Sequence, residues 1–307
     1  MRLDDLPTNV DAQDFGRGSG GGFGGGSPFG GGGGMGGGLG LIIGLIASRF
    51  GIGGIVVALG LMWALGMFSG GGSSVGVQQP GVQNGQVLQG DAACRQNEQQ
   101  LLSCRVLYSA NQTWAQLFAS QGQQYREPKI RFYDRSGPSG CGAAQAAMGP
   151  FYCPTDQGIY LDPAFFNELA TKFGASGDFA AAYVIAHEVG HHIQTITGVS
   201  DQVRAAQARA SKAEGNRYQV AMELQADCYA GVWAARNANR IEPGDVQEGL
   251  RAAQAIGDDT LQKQAQGYAV PESFTHGTSA QRQQWLGRGL QTGDPAACDT
   301  FGALGLA

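Results

Sequence analysis

Apolar residues are distributed in two ways along this 307-residue chain: one unbroken block near the start, then short stripes with helical or strand spacing. The block is residues 39–68, apolar apart from Ser48 and Arg49, and its last nineteen residues, 50–68, carry no charge. A helix of that length, at about 1.5 Å per residue, spans about 28 Å, close to the ~30 Å hydrocarbon core of a bilayer. A soluble helix as long would show a polar face, so 39–68 reads as a single transmembrane helix. Upstream, seventeen of residues 16–40 are glycine. Such a segment buries too little apolar surface to offset its ordering entropy, and residues 1–38 read as a disordered Gly-rich tail with no fold expected. Residues 69–90, made of Gly, Ser, Gln, Val and Pro, read as a flexible linker.

From residue 91 to 307 the composition is that of a globular domain, long enough to bury a sizeable core. Residues 98–118 have a helical stripe with Leu101, Leu102, Val106 and Leu107 on its buried face. Residues 130–134 alternate as a strand, 137–142 form a turn cluster, and 151–162 read as a β-hairpin turning near 155–158. Pro163 opens a helix that ends near Gly174. The apolar and small residues after Gly177 predict a buried helix, with Asp178 as its cap. Further helices are expected over 201–215, 216–239, 243–265 and 279–290. The class is α+β, mainly α with a small β-sheet.

The buried helix contains the chemistry. Ala186-His-Glu-Val-Gly-His-His includes H-E-x-x-H, with His187, Glu188 and His191. Positions four apart share one helix face, so the two imidazoles can hold one Zn²⁺, and Glu188 can act as general base toward a water molecule. His192, one residue on, points about 100° away and reads as structural. A catalytic zinc takes three protein ligands and keeps one open position. A metzincin would place a third histidine six residues after His191, where Thr197 stands. With only four histidines in the chain, the third ligand is expected to be a carboxylate. Glu223 and Asp227 are four apart on the helix after Asn216, among small and apolar neighbours, and an unpaired buried carboxylate would be costly. Glu223 is assigned to the metal and Asp227 to the free N–H of a ligating histidine; the two could exchange roles.

H-E-V-G-H-H followed by E-L-Q-A-D is similar to the gluzincin pattern of H-E-x-x-H plus E-x-x-x-D, as in the CAAX prenyl protease group. More closely, the chain resembles the membrane-anchored neutral zinc metallopeptidases of bacteria. The resemblance is strongest at Phe151-Tyr-Cys-Pro, Ile159-Tyr-Leu-Asp, the Gly177 to His192 helix, Glu223-Leu-Gln-Ala-Asp-Cys-Tyr-Ala-Gly and Thr275-His-Gly-Thr-Ser-x-x-Arg. It implies a zincin-like domain with one zinc per chain, held by His187, His191 and Glu223, with Glu188 as base. It names no substrate. The late His-Pro segment of the prenyl protease group supports placing His276 near the zinc, where it or Arg282 could stabilise an oxyanion. Tyr160 is a further candidate substrate contact, on the expectation that 159–162 is an edge strand able to hold an extended peptide. An ordinary core strand is the alternative.

Charge and cysteines set the surroundings. The net charge of −5 and the lack of a Lys/Arg cluster argue against a nucleic-acid partner. All six cysteines follow the apolar block, which suggests disulfides in an oxidising compartment. Proximity pairs them Cys94–Cys104, Cys141–Cys153 and Cys228–Cys298. Arg2, Arg17 and Arg49 lie before the apolar segment and the first basic residue after it is Arg95. The positive-inside rule then gives a single-pass inner-membrane protein with a cytoplasmic N-terminus and a periplasmic or extracytoplasmic catalytic domain. The expected function is a membrane-anchored zinc endopeptidase acting on a peptide or protein substrate. A zinc-stabilised binding or chaperone module without catalysis is the alternative.

Overall fold

The computed structural model describes residues 1–17 and 87–306. The block 39–68, residues 18–38 of the tail and most of the linker lie outside the described residues. Among the described residues, no helix is long and apolar enough to cross a membrane.

The strands are β1 (Ala12–Arg17), β2 (Leu88–Gln89), β3 (Lys129–Asp134), β4 (Ser136–Ser139), β5 (Gly142–Gln145), β6 (Phe151–Cys153) and β7 (Gly158–Leu161). The helices are α1 (Asp91–Cys94), α2 (Glu98–Ser120), α3 (Ala164–Thr171), α4 (Asp178–Ile196), α5 (Val199–Gln207), α6 (Lys212–Arg236), α7 (Asp245–Ala255), α8 (Asp258–Gln266), α9 (Ser279–Thr292) and α10 (Thr300–Ala303). The class is α+β, mainly helical with a small mixed sheet.

Among the described residues, five strands form one sheet in the order β2-β1-β3-β7-β6, and β4 and β5 form a separate antiparallel pair. β1 and β7 run parallel to β3, whereas β2 and β6 are antiparallel to their neighbours. Alternation sorts the side chains of β7. Ile159 and Leu161 enter the main core with the helices, and Tyr160 faces a smaller cluster of Tyr133, Ala144 and Cys153 on the other face. β7 is bonded on both sides, with Ile159 opposite Ile130 and Tyr152 opposite Ile159. The expected edge strand is therefore an interior strand, and β6 is the edge. The 151–162 hairpin itself forms.

The described part of the expected disordered tail is folded. Leu3, Val10 and Ala12 are buried in the main core. Each of its acidic residues finds a partner: Asp4 meets Arg105 at 2.8 Å, Asp5 meets Arg240 at 2.5 Å, Asp11 meets Arg131 at 2.9 Å, and Asp14 accepts from Gln100 at 2.8 Å. The Met1 ammonium lies 2.8 Å from Asp178 and 3.1 Å from both Glu242 and Asp245. Partners this distant in sequence leave no local pattern, which is why composition misreads the segment. The linker likewise ends early, because Leu88 and Gln89 pair with β1.

Helix boundaries shift where capping decides them. Gly177, not Asp178, occupies the N-cap of α4, and Glu248 from α7 accepts the Phe179 N–H at 3.2 Å. The segment expected to begin helices at 201 and 216 breaks instead before Ser211, whose hydroxyl caps α6 by accepting from Glu214 N–H. The single helix expected over 243–265 is divided into α7 and α8 by Ile256 and Gly257. The disulfides are Cys94–Cys104, Cys141–Cys153 and Cys228–Cys298, as proximity suggested.

Candidate metal centre

α4 is buried along nearly its whole length from Phe179 to Gln194. It lies against α6 so closely that a Cβ on Gly190 would sit 2.8 Å from Ala226 Cα. That approach brings the H-E-x-x-H face of α4 onto the Glu223 face of α6. His187 Nε2 and His191 Nε2 are 3.1 Å apart. Glu223 Oε2 is 3.2 Å from the first and 3.5 Å from the second. Three donors bonded to one zinc at ~2.0–2.1 Å with tetrahedral angles would stand about 3.3 Å from one another. The two imidazoles and one carboxylate thus fit a single zinc without rearrangement.

Each donor is held from behind. Asp227 Oδ1 accepts from His187 Nδ1 at 2.8 Å. The same carboxylate takes the Tyr183 hydroxyl at 2.6 Å and two N–H groups of Arg282, each at 2.8 Å. Gln194 Oε1 lies 2.9 Å from His191 Nδ1. Gln219 donates to the other oxygen of Glu223 at 3.0 Å. With Nδ1 occupied, each imidazole turns Nε2 toward the shared point.

The charges are strongly coupled. Burial would raise the Glu223 carboxyl, but His191, His276 and His187 hold it well below the usual carboxylate range. Burial opposes ionisation of Asp227 too, yet Arg282 and His187 bring it to about 2. Burial pulls the His191 imidazole down, and Glu223 outweighs it, raising it to about 9. Burial raises Glu188, against the pull of the two imidazoles.

His276 stands near enough to Glu223 for each to shift the other's protonation. Its loop is gathered by Asp258, one oxygen of which accepts the N–H groups of Thr275, His276 and Gly277 at 2.7, 2.6 and 3.1 Å. The other oxygen lies 3.4 Å from His276 Nδ1. Arg282 is not placed as an oxyanion donor. Its guanidinium is spent on Asp227, the Tyr183 hydroxyl and the Ile256 carbonyl, on the far side of His187. Tyr160 is not brought to the centre either: its hydroxyl donates to Asp156 at 2.5 Å and its ring stacks on Phe151. His192 is fully buried, with Nε2 on the Arg126 carbonyl at 2.6 Å and Nδ1 at 3.1 Å from the Tyr152 hydroxyl; burial lowers its pKa to about 4. It ties α4 to β6. Tyr183, Gln194 and Gln219 were not singled out from sequence. Helical spacing could have found them, since they stand four, three and four residues from His187, His191 and Glu223.

Residues 2–301 match the family described as "Putative neutral zinc metallopeptidase". This chain belongs to that family. Zinc is accordingly its metal, and the donor set just described is chemically suited to it. The chain is 48% identical over 234 residues to the uncharacterized protein YpfJ of Escherichia coli K12, covering 74% of this chain and 82% of that protein. It is 44% identical over 221 residues to the uncharacterized protein Rv2575 of Mycobacterium tuberculosis, covering 67% and 72%. No solved structure matches the chain. The family match begins at residue 2, in keeping with an N-terminal strand that is part of the fold.

Proposed function

We propose that this family member is a zinc-dependent endopeptidase, attached to a membrane and acting on peptide or protein substrates. The observation that carries the reading is a division of labour among buried side chains where α4 meets α6. His187, His191 and Glu223 bring donor atoms within 4.8 Å of one another, and Glu188, buried beside them, is not one of the three. A non-catalytic module would close its zinc with four protein donors; among the described residues, this cluster has three.

Zinc, when bound there, supplies a Lewis acid that polarises the scissile carbonyl and acidifies water. Glu188 takes a proton from the attacking water as its oxygen bonds to the carbonyl carbon. It returns that proton to the amide nitrogen as the C–N bond breaks. His276, held by the Asp258 loop, is the residue assigned to the developing oxyanion. An extended substrate would lie along β6, the sheet edge packed against α4, where main-chain hydrogen bonds can hold it. Membrane attachment is assigned to 39–68 without the single crossing and opposite-side N-terminus expected from the basic residues, because β1 before that block shares a sheet with β2 and β3 after it. An oxidising compartment is assigned to the domain on the strength of its disulfides.

The test is Glu188→Gln. Metal analysis should give unchanged zinc, and chelator-sensitive hydrolysis of a peptide library should fall by roughly 100-fold or more. Hydrolysis at the wild-type rate in that variant removes the mechanism.

A further inference from the structure

Asp227 is the partner that the gluzincin pattern supplies for His187; nothing in that pattern supplies one for His191. The structure places Gln194 there, one helical turn further along α4. Its side chain is fully buried, and the orientation of its amide is set by chemistry. One end lies 2.7 Å from the Met222 carbonyl. A carbonyl only accepts, so that end of Gln194 must be the NH₂ group. The oxygen therefore faces His191 Nδ1 at 2.9 Å, and Nδ1 must carry the hydrogen. The Nε2 lone pair is left for the shared point with His187 and Glu223.

The same logic extends one residue outward. Gln225 lies 3.1 Å from the Cys298 carbonyl through its NH₂ group, so its oxygen accepts the second N–H of Gln194, also at 3.1 Å. Both ends of this relay are tied down. His191 sits on α4, and Cys298 is disulfide-bonded to Cys228, the residue after Asp227 on α6. We propose that Gln194 is the positioning residue of His191: it fixes the tautomer and ring angle through which His191 binds zinc, with Gln225 fixing Gln194 in turn. The proposal rests on the metal-centre reading and extends it to a residue outside the motif.

The experiment is a zinc titration against a competing chelator, with the full chain and two variants. Gln194→Leu keeps the volume and removes the acceptor. Gln194→Glu keeps an oxygen toward Nδ1 and removes the donor to Met222. Both variants lose hydrogen bonds and should melt at lower temperature without metal, so stability does not separate the roles. Zinc affinity does. Gln194→Leu should bind zinc roughly 10- to 100-fold more weakly, the usual effect of losing the group behind a ligating histidine, while Gln194→Glu should remain close to wild type. Equal affinity of Gln194→Leu and wild type, or equal losses in both variants, overturns the proposal and leaves the metal centre standing. A wild-type chain that takes up no zinc overturns both.

Discussion

At the scale of residues, the centre depends on what stands behind the ligands. Asp227 is wholly buried and receives an imidazole N–H, a phenol and a bidentate guanidinium. Arg282 is buried with it, so each charge is compensated only by the other and its neighbours. Arg282→Met should leave an uncompensated buried carboxylate and cost about 3–5 kcal/mol. Denaturant unfolding of the zinc-free protein measures this, and a loss below about 1 kcal/mol would show that the pair is not structurally coupled. Helical spacing made the pairs His187/His191 and Glu223/Asp227 readable in advance, because each pair lies on one face of one helix. Glu188 was readable through the H-E-x-x-H motif it shares with the histidines. Arg282 could be flagged but not placed. Its role depends on how α9 meets α6, a relation between segments 55 residues apart that no local period records.

At the scale of elements, small residues decide how near the helices come. Gly190 lets α4 touch the backbone of α6 at Ala226. On the far side of α6, a Cβ on Gly289 of α9 would fall 2.0 Å from the Cys228 carbonyl. α6 is thus gripped from both sides within a few residues of Glu223 and Asp227. Gly190→Ala should push α4 and α6 apart, costing about 1–3 kcal/mol in overpacking. Because the displacement separates Glu223 from the histidines, zinc affinity should fall in the same variant; calorimetry and chelator competition read the two effects separately. An unchanged affinity would mean that the contact does not set the ligand spacing. The glycines were visible as letters, but their purpose was not, since it lies in the partner helix. Helix ends were the less legible part for a related reason. Ala, Gln and Arg carry no stripe through 201–215, and the α4 cap comes from Glu248, 69 residues away.

At the scale of the molecule, the α+β class and the β6–β7 hairpin were readable from periodicity, whereas the N-terminal strand was not. β1 carries no run of apolar residues; its place is set by ladders to β2 and β3 and by partners spread over the chain. That strand has a consequence for topology. β1 lies between β2 and β3, with Asp14 opposite Leu88, so the chain leaves the sheet after residue 17 and rejoins it one strand away. Membrane crossings in between obey a parity rule: an odd number would pull β1 from the sheet, and only an even number, or none, is compatible with this fold. Cysteines introduced at the exposed positions Asn9 and Gln284 should therefore react together, or stay protected together, when intact cells meet a membrane-impermeant maleimide. Labelling of one without the other would show that the sheet assembles without its own first strand.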